Sequence, residues 1–225
     1  MNPRISGVLA GVLGLAALVA WAVVGPDRFG PREPAERQQL ALLTSLPLIF
    51  GESFGLEGSG SPALSRLEQR YRVDPIGVAD AASLKGRQLL LMAHPRAQPA
   101  EALVELDRWV REGGRVVLLA DPRLDWPTER PLGDRLRPPP AFADTGLLKH
   151  WGLSLEAPPT AGEATAGKLS AKGACRIEDE GLVARCVLGR GHATVIADAD
   201  FLNVSQSDSE NLDLLVEELA RLDSR

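Results

Sequence analysis

The chain has 225 residues, 44% of them hydrophobic and 24% charged, with a formal net charge of −5 at pH 7. These are ordinary values for a globular domain with a sizeable core, and the acidic balance supplies no basic field for nucleic acid, so that partner class is excluded. Aromatic residues at 4%, with Tyr71 the only tyrosine, argue against a carbohydrate or single-strand groove lined with stacked rings.

Residues 5–24 (ISGVLAGVLGLAALVAWAVV) form a run of twenty without a charge. As a helix, at about 1.5 Å of rise per residue, this run spans roughly 30 Å, the hydrocarbon thickness of a bilayer. Arg4 and the amino terminus precede it, while Asp27, Arg28, Arg32 and Glu33 follow with no net sign. The positive-inside rule then holds the N-terminus in the cytoplasm and carries the rest across the membrane. The expected organisation is a transmembrane anchor (1–24), a Pro- and charge-rich tether (25–37) and a periplasmic domain (38–225). The location implied is the inner (cytoplasmic) membrane, crossed once. A cleaved signal peptide is the alternative, because Ala20-Trp21-Ala22 has the small-x-small form of a cleavage site. The run exceeds the usual h-region of about 7–15 residues, and Trp21 suits an interfacial anchor. Export follows on both readings.

Residues 40–45 (LALLTS) read as a first strand, followed by a glycine-rich loop at 51–61 (GESFGLEGSGS) that contains Glu52. Pro62 starts an amphipathic helix (PALSRLEQRY) with Leu64, Leu67 and Tyr71 on one face, and RVDPI is a short strand. Residues 87–93 (RQLLLMA) are a buried-strand run. Residues 99–112 are a helix with Leu103, Leu106 and Val110 facing inward and Trp109 in the core. Gly113-Gly114 stops that helix, and 115–120 (RVVLLA) is another buried strand. Strand, helix and strand with continuous apolar strands make a parallel βαβ unit.

A long irregular stretch (121–141) leads to a short helix (143–152) and a strand (153–158). Residues 175–186 (CRIEDEGLVARC) read as a hairpin. With Glu180-Gly181 as its turn, Asp179 faces Leu182, Ile177 faces Ala184, and Cys175 faces Cys186. Opposed cysteines at that separation can bridge, and an exported protein sits where disulfides persist. The alternative is two reduced, buried thiols; with no histidine nearby they make no zinc site. A strand (192–198) and a helix (211–222) close the chain. The pattern is a doubly wound α/β fold, mostly parallel, with a small β-hairpin insertion before its last strand.

Ligands in open parallel sheets sit outside the carboxyl ends of the strands. Those ends carry Thr44/Ser45, His94, Asp121 and Asp198/Asp200, with the glycine loop and Glu52 close by. Three carboxylates at one edge have the donor chemistry of a divalent-cation site. Aspartates at strand ends more commonly cap a turn or the next helix, so no metal is expected. The loop lacks both GxGxxG and GxxxxGK[ST], which removes a nucleotide-phosphate cradle, and no cofactor is expected. His94 has the chemistry of a general base but no nucleophile beside it: Ser45 lies in no GxSxG elbow and neither cysteine lies at a strand-to-helix turn. His94, His150 and His192 therefore read as structural, and Trp126 and Trp151 as packing.

The closing stretch has a Gly189-Arg190-Gly191 turn, a strand ending in Asp198-Ala199-Asp200-Phe201-Leu202, a polar loop, and Asn211-Leu212 opening a helix. In the middle, Leu106, Trp109, Val110, Gly113, Gly114, Arg115, Val116, Leu119, Asp121 and Pro122 follow an L-x-x-W-V-x-x-G-G-R-V-x-x-L-x-D-P order, and LLKHWGLSLE follows in turn. Over roughly residues 38–222 this order resembles the GldG-type domain of ABC-transport auxiliary proteins. The resemblance implies a flavodoxin- or glutamine-amidotransferase-like α/β domain without amidotransferase chemistry. The nucleophilic cysteine of the active relatives follows a central strand, and here that turn carries Asp121-Pro122. Family members are commonly encoded beside an ABC ATPase and permease and carry a membrane anchor; this chain is short, with one N-terminal anchor.

The resulting expectation is a membrane-anchored, non-catalytic auxiliary or ligand-binding protein of an ABC-type transport system, with the permease and ATPase subunits as partners. The rivals are a diverged envelope hydrolase using His94 with the strand-end aspartates, and a structural envelope interaction protein. Asp198, Asp200 and Asn211 match the family best. Asp200 is expected to accept N–H groups from residues 203–209, and Asn211, or Ser209 before it, to cap the last helix.

Overall fold

Continuous aliphatic runs build the centre of the molecule. The computed structural model describes residues 29–49, 60–158, 166–206 and 209–223. The expected anchor at 1–24 and Glu52 of the glycine loop lie outside the described residues. The chain divides into residues 1–30 and 31–225, and the architecture below is that of the second unit. Among the described residues no helix is long and apolar enough to cross a membrane.

Strands β1 (Gln38–Thr44), β2 (Tyr71–Pro75), β3 (Leu89–Ala93), β4 (Arg115–Leu119) and β9 (Gly191–Ile196) lie parallel in the order β2-β1-β3-β4-β9. Every residue of β3 and β4 is buried, because helices cover both faces of a parallel sheet. The sheet is completed by two antiparallel strands, β8 (Val183–Leu188) on β9 and β7 (Cys175–Glu178) at the edge, giving seven strands. The hairpin expected as an insertion is therefore part of the main sheet. Strands β5 (Leu153–Glu156) and β6 (Lys168–Ala171) form a separate antiparallel pair.

Alternate residues of each central strand feed opposite cores. On one face Leu90, Met92, Val116, Leu118 and Val195 meet Leu106 and Val110 of helix α3 (Ala100–Arg111). The same face carries Leu84 of α2 (Ala81–Leu84) and Leu147 and Leu148 of α4 (Leu147–His150). On the other face Leu40, Leu42, Leu89, Leu91, Val117 and Leu119 meet two helices, α1 (Pro62–Glu68) and α5 (Glu210–Asp223), through Leu64, Leu67, Leu212, Leu215 and Leu219. Each fully buried leucine contributes about 1.5–3 kcal/mol relative to exposure.

Ser61 begins α1 by accepting the Leu64 N–H on its hydroxyl, with Pro62 preset for the first turn. The helix ends at Glu68, and Arg70 closes a tight turn onto the Leu67 carbonyl. Tyr71, expected on the helix face, consequently opens β2 opposite Gln38, fully buried. Helix α2, four residues long and not anticipated, is capped by Asp80, which accepts the Ser83 N–H. Gly113, at φ +117°, ends α3 where expected.

The hairpin register is the expected one: Cys175 pairs with Cys186 and Ile177 with Ala184. Its turn uses three successive left-handed residues, Asp179, Glu180 and Gly181. Cys175 and Cys186 are joined in a disulfide, with Cα atoms 4.0 Å apart.

Candidate functional site at the carboxyl edge

The order of strand addition reverses between β1 and β3, since β2 lies outside β1 and the next strand is added on its other side. That switch point is where an open α/β sheet offers its crevice. Ser45 follows β1 there and His94 follows β3. The two residues touch, but the Ser45 hydroxyl donates to the His94 carbonyl oxygen, not to its ring. Thr44 ties the same strands together by donating its hydroxyl to the Ala93 carbonyl.

His94 is fully buried and sits at φ +46°, a left-handed conformation uncommon outside glycine. Its Nε2 lies 2.9 Å from the Pro139 carbonyl oxygen, so Nε2 carries the proton and Nδ1 is a bare acceptor. Nδ1 is buried without a hydrogen-bond partner among the described residues. Burial lowers the affinity of this ring for a second proton; the Pro139 carbonyl opposes that and the Arg96 charge adds to it.

One strand pair further on, β4 and β9 deliver Asp121, Asp198 and Asp200. One oxygen from each of these three lies within 4.8 Å of the others. Asp121, fully buried, accepts from the Arg123 N–H at 2.8 Å and the Ala199 N–H at 3.0 Å. Asp198 accepts from the Asp200 N–H at 2.8 Å. Asp200 takes the Asp125 N–H on both oxygens, at 2.9 and 3.1 Å. Burial raises the Asp121 carboxyl above its ordinary range. It also raises Asp200 to about 6, with the neighbouring Asp121 and Asp198 charges adding to the effect and the Asp125 N–H opposing it. Carboxylate oxygens so grouped have cation-ligand chemistry. Here each carboxylate is also the acceptor of a backbone N–H that shapes the loops around it.

The stretch after β4, without periodicity in sequence, folds back over this edge. Pro139 reaches His94, the Phe142 N–H donates to the Asp121 carbonyl at 2.6 Å, and the Asp125 N–H meets Asp200. The Asp200 carboxylate is thus held by Asp125; of the loop expected to donate to Asp200, the Asn203 N–H reaches its backbone carbonyl at 2.9 Å rather than its side chain. Asn211 does not join the site either: it lies exposed in the first turn of α5, which begins at Glu210, and the Leu212 and Asp213 N–H groups go to the Ser209 carbonyl. His150 is largely exposed and pairs with Asp107 at 3.2 Å, and Trp151 is buried with its indole N–H on the same carboxylate.

Fold and site together define a doubly wound α/β domain with a covered carboxyl edge. No family model matches the chain, and no curated protein matches it. Among solved structures it is similar to the mmIFT52 N-terminal domain (13% identity, TM-score 0.56, 84% of this chain and 98% of that one). It also aligns with an exo-beta-1,4-mannosidase from Opitutaceae bacterium strain TAV5, at 13% identity and TM-score 0.44, over 84% of this chain and 36% of that one. A cytoplasmic protein of Salmonella typhimurium LT2, STM1381, aligns at 14% identity and TM-score 0.41, over 82% and 96%. The first of these likenesses speaks to the fold alone.

Proposed function

We propose that this chain is a membrane-anchored, non-catalytic auxiliary or ligand-binding protein of an ABC-type transport system, with its α/β domain on the periplasmic side. The strand order 2-1-3-4 followed by a fifth parallel strand is the flavodoxin-like one, which supports a glutamine-amidotransferase-like frame. The observation that carries the reading is the use made of the polar groups at the carboxyl edge. The Ser45 hydroxyl is spent on a carbonyl, the His94 Nε2–H on another, and the three aspartates on backbone N–H groups. Such an edge presents a shaped surface of loops to a partner. The order of the Gly189-Arg190-Gly191 and Asp198–Leu202 motifs supports the transporter assignment.

The test is purification of the intact protein from membranes under mild detergent. Recovery of an ABC permease and ATPase in constant ratio is the expected result, and it should survive Asp198→Asn. Recovery of the chain alone, together with a hydrolytic activity abolished by His94→Ala, would establish the envelope-hydrolase alternative. The unpartnered Nδ1 and positive φ of His94 are the features that favour that second reading.

A further inference from the structure

We propose that the opposite, amino edge of the sheet carries an anion site for a phosphate group. Beside the starts of β3, β4 and β9 lies a cleft of about 640 Å³, walled by the ends of α2 and α3 and by the turn before β9. That volume is in the range of small-molecule sites, roughly 300–1,000 Å³.

Its walls are cationic although the chain is net acidic. Lys85, Arg87, Arg108, Arg115 and Arg190 line it, against the two carboxylates Glu105 and Glu112. Arg87 is neutralised by Asp74. Arg115 is tied to the end of α5, donating to the Leu222 and Asp223 carbonyls at 2.9 and 3.0 Å, and Arg190 donates to the Glu112 carbonyl at 3.0 Å. Those contacts satisfy helix C-termini. Lys85 and Arg108 have no such duty: neither side chain has a hydrogen-bond or ion-pair partner among the described residues. Of the acids, Glu105 is engaged by the Ala81 N–H at 2.7 Å.

The remaining wall suits a ligand with an apolar portion. The half-buried Trp109 ring is fixed by its indole N–H on the Arg87 carbonyl at 3.2 Å, and it packs so close to Gly114 that a Cβ there would lie 2.4 Å from the ring. Gly86 and Gly113, both at positive φ, leave open space around them. Cations from three separate elements around one cleft match a tetrahedral dianion with several oxygens better than a single carboxylate. The residues leading into β1 also reach the sheet at this amino edge, so both a phospholipid headgroup and a soluble phosphate compound are sources of that chemistry.

The test uses the full chain in an uncharged detergent at pH 7, followed by thermal melting and tryptophan emission. The probes are inorganic phosphate, dihexanoyl phosphatidylglycerol and dihexanoyl phosphatidylcholine, with chloride at matched ionic strength as control. Phosphate should raise the melting temperature beyond chloride. The exposed pair Lys85→Gln/Arg108→Gln should weaken that response about tenfold, the scale of one or two lost charge-assisted hydrogen bonds. Arg72→Gln, on β2 and outside the cleft, should leave it unchanged. A response to the phosphatidylglycerol at lower concentration than to phosphate assigns a headgroup; the reverse assigns a soluble phosphate compound. No response beyond chloride, or a response that the double variant retains in full, overturns the site. The transporter assignment is untouched by either outcome, since it is read from co-purification.

Discussion

A Cβ on Gly191 would lie 1.9 Å from the carbonyl oxygen of Val110 and 2.3 Å from that of Gly114. The first residue of β9 thus passes directly over the end of α3, and the His192 N–H takes up the Gly114 carbonyl at 3.2 Å. Gly189, at φ +61°, begins the same turn, with the Arg190 N–H on the Arg111 carbonyl at 3.0 Å. The Gly-Arg-Gly sequence therefore has a steric reason at both glycines.

Gly191→Ala should destabilise the domain by about 3 kcal/mol or more, because both obstructing atoms belong to backbone that cannot rotate away. Gly77→Ala, where nothing lies within 4 Å, is the control. Denaturant midpoints decide it, and equal midpoints for the two variants would refute the packing account.

Asp200→Asn should stabilise at pH 8. An acid whose folded pKa is raised is protonated longer in the folded state, so its stability contribution is largest at low pH. That contribution is lost as pH rises from the ordinary carboxylate range to about 6. The difference amounts to at most about 3 kcal/mol. Asparagine keeps an acceptor for the Asp125 N–H and removes one charge from the cluster. The expected result is a higher melting temperature at pH 8 and no gain below pH 4. If EDTA lowers the wild-type melting point instead, the aspartates hold a cation and the variant should lose stability.

His94 gives the opposite slope. Its ring is held neutral by burial, so its contribution is present above the unfolded histidine pKa, about 6.5, and is lost as pH falls below it. His94→Asn, a residue also tolerant of positive φ, should flatten the stability profile on the acid side of neutrality while lowering its overall level. A variant profile parallel to wild type between pH 7 and 5 would show that the ring does not titrate in that window.

Reduction of Cys175–Cys186 should destabilise by no more than about 3 kcal/mol, the chain-entropy limit for a short loop. The two cysteines are 11 residues apart. Cys175→Ser/Cys186→Ser should melt several degrees lower under oxidising conditions and coincide with wild type in excess thiol. Persistence of a difference in thiol would mean that the serines, not the missing bridge, cause the loss.

The apolar run at 5–24 is expected to stay attached to the domain. Intact-mass measurement of the membrane-extracted protein should give the unprocessed chain. A mature terminus at Val23 would make the run a signal peptide.

The centre of the fold was legible because its strands are uninterrupted aliphatic runs flanked by strong punctuation, as in Arg115–Leu119 after Gly113-Gly114. The hairpin register was legible because cross-strand pairing propagates in steps of two from one turn, which put Cys175 opposite Cys186. Strand β6 and helix α2, four residues each, are too short to show a period. Tyr71 fits a helical apolar face and a strand equally well, and only tertiary pairing with Gln38 chose the strand. The convergence of Asp121, Asp198 and Asp200 followed from placing their strands side by side. Two of their N–H donors, Ala199 and Asp200, come with β9 itself, but the other two, Arg123 and Asp125, did not follow, since they belong to the irregular stretch after β4, whose path is set by individual hydrogen bonds. The amino-edge cations were invisible for a related reason: Lys85, Arg108 and Arg190 are far apart in sequence and meet only when three elements end at one place.

Strand β7 is the outermost of its sheet, and its far side has no strand partner among the described residues. Backbone groups on such a margin invite another chain to add itself, and a slip of one residue would turn the strand's faces over. The sulfur bridge rivets this margin to β8 in a single register, and it does so only where thiols can be oxidised. In a reducing compartment the same hairpin is fastened by hydrogen bonds alone, a loose hem that an oxidising one sews shut.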